Sequence, residues 1–388
     1  MGSLVISRRV QLRWLVCGLG LVCATSTAIR AEELPSFQHV VEHHYNRWTR
    51  GGQGILTEKR VTELVGHAEV RGAEAAAIAS IHCYQRKAGE KAQPLTRAFL
   101  TGVHKEDPTL RRDHPESGGN LSLNYNSFLR HIQSAPRSAF AVERPELNGI
   151  TQGHLADCYF VAGVGAAVHR NPDNLKQLIH HKDDHSYEVR FRNGKQVHVL
   201  PLTDAQLALG SNAGHQGIWL NILELAAGTV QEQDREQENK FALDTLGSGG
   251  DSVFTIQLLT GRKAIKHVIR RRDTQGVYPV PAERDIPHLV SKFTKVIHEG
   301  VSNQRIVCCG VGRWSVPPGM GQWHQYAIID LKQGHVDIWN PWGSHFAPKG
   351  EPGLVHGYHT QGGRFSMPVH DFVCVFGAVN VESDQPIN

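Results

Sequence analysis

The chain has 388 residues, 40% of them hydrophobic, which is enough for a real core and for two or three domains' worth of chain. Its formal net charge of +4 is spread along the sequence, and the single short basic run carries no interleaved aromatics, so a nucleic-acid-binding function is not indicated. The 24 histidines are scattered, His43-His44 and His180-His181 are the only pairs, and neither an HExxH nor a CxxC occurs, so no metal site is expected.

Residues 1–31 have the order of a secretory signal peptide. Arg8, Arg9 and Arg13 form a basic start, Trp14–Ala24 is apolar, and a small, polar segment ends at Ala31 before Glu32-Glu33. The apolar run is too short for a membrane span, so the expectation is cleavage near Ala31 and export to the periplasm or the outside, with no membrane attachment afterwards. Cleavage removes Cys17 and Cys23. Five cysteines remain, Cys83, Cys158, Cys308, Cys309 and Cys374, and an odd number leaves at least one free thiol. Cys308 and Cys309 sit in an apolar run that reads as a buried strand.

Residues 32–145 read as a mostly helical N-terminal region, a propeptide, a regulatory segment or an extra domain. Apolar residues recur at helical spacing from Val61 to Ile81, and Ala73–Ala79 is strongly helix-forming. Gly51-Gly-Gln-Gly-Ile-Leu between two helical stretches has the outline of an EF-hand loop. Its first position would be Thr49 and its twelfth, where a glutamate is needed, is Arg60, so calcium is not expected there. Thr101–Asn126 turns polar and reads as a linker or long loop.

The texture changes near residue 146. Cys158–His169 and Ile218–Val230 have helical spacing, and residues 146–250 are expected to form a helical lobe. From Arg305 the pattern is β, with Arg305–Cys309, Gln325–Leu331, His335–Trp339 and Phe372–Val381 as strands, so residues 251–388 are expected to form a sheet-rich lobe. The basic run Arg270-Arg271-Arg272, with Arg262, Lys263 and Lys266 before it, reads as a solvated loop or helix face.

Three segments carry chemistry. In Gln152-Gly-His-Leu-Ala-Asp-Cys158-Tyr, the cysteine would open a helix, where unsatisfied N–H groups favour the thiolate nucleophile. Gln152, six residues upstream, could aim its amide at an oxyanion beside the sulfur, together with the backbone N–H of Cys158. Taken alone, Cys158 would more often be a buried structural thiol capped by Asp157. In Trp323-His324-Gln-Tyr, a histidine begins an apolar strand and could serve as the base. In Asn340-Pro-Trp-Gly343, an asparagine ends a strand at a turn, where its oxygen could orient His324 while Trp342 shields the contact from water. Each has a bland reading too, as a strand-edge histidine and a common Asn-Pro turn.

The three in this order resemble the protease core of the calpain family, whose segments read Gln-Gly-x-Leu-Gly-Asp-Cys-Trp, Gly-His-Ala-Tyr and Asn-Pro-Trp-Gly. Gly217-Ile-Trp-Leu-Asn-Ile-Leu-Glu-Leu-Ala227 resembles a further helix of that family. Leu246-Gly-Ser-Gly-Gly250 with Leu259-Thr-Gly261 resembles its Leu-x-Gly-Gly … Leu-Thr-Gly stretch, which makes Gly249 and Gly250 candidate substrate-binding positions. The resemblance covers about residues 146 to 381. It implies an α+β, papain-like two-lobed core and a cysteine endopeptidase acting on protein or peptide substrates through Cys158, His324 and Asn340. Ala156 and Tyr159 depart conservatively from the family pattern, and His324 and Asn340 are closer together than in typical calpains. The length leaves no room for the C-terminal domains of animal calpains. Calcium would follow from the resemblance alone, since no ligands are identifiable; the oligomeric state and disulfide pairing are not legible. Two other readings are a transglutaminase-like acyl transferase or deamidase, whose third residue is often Asp, and a non-catalytic binding protein on an inactive fold, against which the intact set of three argues.

Overall fold

A computed structural model describes residues 34–50, 54–102, 118, 120–235, 241–274 and 277–387; the expected signal peptide lies outside the described residues. Pro35–Asn388 form one compact unit. Among the described residues no helix is long and apolar enough to cross a membrane.

The N-terminal region is a helical cluster made of α1 (Phe37–Trp48), α2 (Glu58–Val65), α3 (Gly72–Ala88) and α4 (Leu121–Ser134). Ser36 and Thr57 start the first two by accepting the N–H groups of His39 and Arg60, which removes two of the donors a helix start leaves unpaired. Residues 75–79 of α3 are buried all round, because alanine lets neighbouring helices approach closely on every side. The segment expected as linker up to Asn126 is helical from Leu121. Its polar residues are used inward: Asn124 donates to Cys83 Sγ at 3.6 Å, and Tyr125 donates to Pro35 O.

Residues 51–53 of the EF-hand-like segment lie outside the described residues. Arg60, at the twelfth position, donates to Trp48 O at 3.0 Å and to Glu63 at 2.9 Å.

The helical lobe contains α5 (Cys158–Arg170), α6 (Asp204–Leu209), α7 (Trp219–Asp234) and α8 (Ser252–Thr260), with a small antiparallel sheet of β1 (Ile179–His181), β2 (Tyr187–Arg190) and β3 (Gln196–Val199). Helix α8, which follows the expected lobe boundary at residue 250, packs in this helical core through Ile256, Leu258 and Leu259. The N-terminal cluster shares its core with Ala205, Ala208 and Leu209 of α6. The docking is pinned by Gly72 N donating to Asp204 at 2.7 Å and Thr203 Oγ donating to Val65 O.

The second lobe is a six-stranded antiparallel sheet in the order β4 (Arg262–Val268), β9 (Ala378–Pro386), β5 (Val307–Val311), β6 (His324–Lys332), β7 (His335–Trp339), β8 (Arg364–Pro368). Alternation divides its residues between two cores. Cys308, Ala327 and Trp339 face the helical lobe, while Val307, Cys309, Tyr326 and Ile338 face α9 (Ile286–Ser302) and α10 (Val369–Val375). Cys308 and Cys309 therefore sit in a buried strand and point to opposite faces; all five described cysteines are free. Two expectations change. Phe372–Val375 is helical, and the last strand starts at Ala378. The basic run is not one solvated face: Arg262–Lys266 lie in β4, and Arg270 is buried with its guanidinium 4.7 Å over the Trp314 ring.

Candidate functional site

Cys158 is the first residue of α5, at the helix start its sequence implied. Asp157 precedes it but makes no side-chain cap. Its Oδ1 instead accepts from Gln152 Nε2 at 3.0 Å, and its carboxyl faces that of Glu224 across the interior. Backbone N–H groups of Cys158, Tyr159 and Gln325 pull the Cys158 thiol down against its burial. Gln325 follows His324 in β6, so the thiol is set near the start of that strand.

His324 opens β6 and is 2% exposed. Its Nε2 is 2.7 Å from Asn340 Oδ1. An amide oxygen can only accept, so Nε2 carries the proton and Nδ1 keeps its lone pair. The ring is held edge-on by Tyr326 at 4.7 Å and covered by Trp342 at 4.1 Å. Asn340 follows the last residue of β7 and is itself fixed: its N–H donates to Gly363 O at 2.8 Å, and its Oδ1 also accepts from Trp342 N at 3.0 Å. The turn closes through Gly343, at φ 62°, where a Cβ would collide with Thr151 at 2.5 Å. Gln152 N donates to Pro341 O at 2.7 Å, so the segment before the nucleophile is stitched to the asparagine turn. The three elements expected to carry chemistry are thus brought together from positions far apart in sequence.

Gln152 departs from expectation. Both protons of its Nε2 are engaged inside the protein, one by Leu155 O at 2.7 Å and one by Asp157, while its Oε1 is buried without a partner. In this arrangement the amide faces Asp157 and offers no proton to an oxyanion. The glycine pair divides in role. A Cβ on Gly250 would strike the Tyr159 ring at 2.6 Å, so glycine lets this turn pack beside the nucleophile's neighbour. Gly249, at φ 87°, has open space beside it.

Sequence reasoning missed Glu224. It sits within the apolar α7, fully buried, with both oxygens accepting from Ser211 N at 2.9 and 3.0 Å. Burial, then the facing Asp157 carboxylate, push its pKa well up, and burial raises Asp157 as well. Asp157 Oδ2 is buried without a hydrogen-bond partner. A glutamate among Leu220, Ile222, Leu223 and Ala226 was the available signal, since a charge in an apolar stripe needs a partner.

Burial works against the helix dipole at the sulfur. The Cys158 thiol is pushed up to about 11, and burial lowers His324 to about 4 against the raising effect of its bond to Asn340. Between these values the resting pair is thiol and neutral imidazole. The thiolate fraction is about one part in 10^4 at pH 7. The rate of Cys158 alkylation by iodoacetamide, followed by mass spectrometry, should therefore climb about tenfold per pH unit through the neutral range toward pH 11. A rate already level between pH 5 and 8 would show an ion pair and refute this.

The sequence matches the model of the calpain family of cysteine proteases over residues 122–351, more than half of the chain. The match begins inside α4, earlier than the motifs alone suggested. No match was found among curated proteins. With the mixed helix and antiparallel-sheet architecture, the thiol at the head of α5 and the histidine at the head of β6, this match shows that the chain belongs to the calpain family of cysteine proteases.

Proposed function

We propose that the chain is an endopeptidase that cleaves protein or peptide substrates by covalent catalysis, with Cys158 as nucleophile, His324 as base and acid, and Asn340 as the residue that orients His324. The observation that carries this reading is the 2.7 Å contact between His324 Nε2 and Asn340 Oδ1, which leaves the other ring nitrogen to accept a proton.

Nδ1 of His324 takes the thiol proton as Sγ attacks the scissile carbonyl carbon, and the carbonyl oxygen becomes an oxyanion. Proton transfer concerted with attack suits a thiol whose resting pKa is about 11. The imidazolium then protonates the leaving amine, the C–N bond breaks, and an acyl-thioester remains. Water, deprotonated by the same nitrogen, attacks the thioester carbon; the C–S bond breaks, the acyl group leaves as the carboxylic acid, and the imidazolium returns the proton to the sulfur. Asn340 holds the tautomer throughout, and the Trp342 ring keeps water from that hydrogen bond. The backbone N–H groups left unpaired at the start of α5 serve as donors to the oxyanion, and Gln152 joins them once its amide releases Asp157 or Leu155. No step is routed through calcium.

The test is incubation at pH 8 with an unstructured protein substrate and an epoxysuccinyl probe. Expected are internal cleavage products and, with the probe, loss of cleavage together with one adduct on Cys158. An unmodified Cys158 and an intact substrate would defeat the reading. Amine-linked products formed with an added primary amine would replace it by acyl transfer.

A further inference from the structure

Beside the catalytic residues lies a cavity of about 530 Å³ whose wall includes Trp323 and Gln325, the residues on either side of His324. Gln325 is also a residue whose backbone N–H pulls the Cys158 thiol down. The far wall comes from the end of β4, the segment after it and the end of β5. The cavity and the reacting atoms thus share one strand start.

Its charge is one-sided. Lys266, Arg270, Arg271, Arg272 and Arg313 line it, against the single carboxylate of Asp251. Asp251 is already committed: Oδ2 accepts from Lys266 at 2.6 Å and Oδ1 from Asn380 at 2.6 Å. Arg270 is the fixed member. It is 6% exposed, stacked on Trp314, and donates to Tyr278 O at 3.5 Å and to Cys374 O, yet its Nε is buried with no hydrogen-bond partner. A desolvated guanidinium with an unused donor favours an anion nearby. Trp323 stands at the cavity wall with 70% of its surface exposed and φ at 49°, a strained backbone for so bulky a residue, held by its N–H to Gly312 O. An exposed, conformationally fixed ring at the cavity wall is suited to cover an entering side chain.

We propose that this cavity binds an acidic side chain, Asp or Glu, of the substrate polypeptide close to the scissile bond, and so selects acidic sequences for cleavage. The inference builds on the peptidase reading by naming its substrate class, and it is tested by binding, so that the two can fail separately.

Fluorescein-labelled ten-residue peptides, each with one Glu placed at a different position and each matched by its Gln counterpart, are titrated against the Cys158→Ala protein and followed by anisotropy. At one position Glu should bind about tenfold more tightly than Gln, the preference should shrink in 0.5 M salt, and the added exchange of Arg271 and Arg313 for Gln should cut the preference at least threefold, with Arg270 still in place. Both arginines are exposed, so the exchanged protein is expected to fold. Equal binding of Glu and Gln peptides at every position overturns the proposal, as does a preference that the arginine exchanges leave undiminished. A Glu preference in a protein whose wild-type form cleaves nothing sustains the cavity assignment and overturns the peptidase reading alone.

Discussion

His324→Ala is expected to lower kcat/KM for a peptide substrate by about 10^4-fold, and Cys158→Ala to leave no turnover attributable to the site. The loss is large because the resting thiol is neutral. In the proposed mechanism a sulfur with a pKa near 11 needs His324 to remove its proton during attack, and the leaving amine needs the same nitrogen for its return. The double variant should be no worse than Cys158→Ala, since residues that act as one unit do not add. Steady-state cleavage of a fluorogenic peptide measures this, with thermal unfolding as a check on folding. More than a tenth of wild-type activity in His324→Ala would exclude it as the base and require another group to take the proton.

Trp339→Ala is expected to cost about 3–5 kcal/mol of folding stability, measured by urea denaturation. Trp339 is the last residue of β7 and is completely buried. Its ring fills the space left by two glycines: a Cβ on Gly165 of α5 would meet the ring at 2.3 Å, and a Cβ on Gly363 would come within 3.1 Å of its Nε1. The indole thus joins the nucleophile's helix to the sheet one residue before Asn340. Its removal leaves a cavity that the antiparallel pairs Ala327↔Trp339 and Trp339↔Arg364 keep from collapsing. Trp339→Phe should lose much less. A Trp339→Ala protein within 1 kcal/mol of wild type would show that this joint between lobes is not packed as described.

Much of this organisation was legible before any coordinates. The helix opened by Cys158, the strand opened by His324 and the turn at Asn340 each follow from local rules: helical spacing after residue 158, alternation after residue 324, and Asn-Pro-x-Gly after a strand. Where local rules misled, longer-range packing had taken over. Leu121–Asn126 is polar enough for a linker, yet it folds as the start of α4 because Asn124 and Tyr125 find partners in α3 and at Pro35. Phe372–Val375 looked like strand because a short apolar run has no period of its own, and it is helical because it packs on α9 and beside Phe376.

By itself the sequence determined the chemistry available: which residue could attack, which could carry a proton and which could orient it, because side-chain type and order along the chain carry that information. The tertiary structure decided how those groups are poised. It desolvated the half-buried Cys158 until that cost outweighed the helix dipole, and it turned the Gln152 amide onto Asp157. It also set Glu224 against that aspartate and gathered a basic run beside His324. Each of these depends on burial or on a partner far away in sequence, and neither desolvation nor a long-range contact can be read from a residue's immediate neighbours.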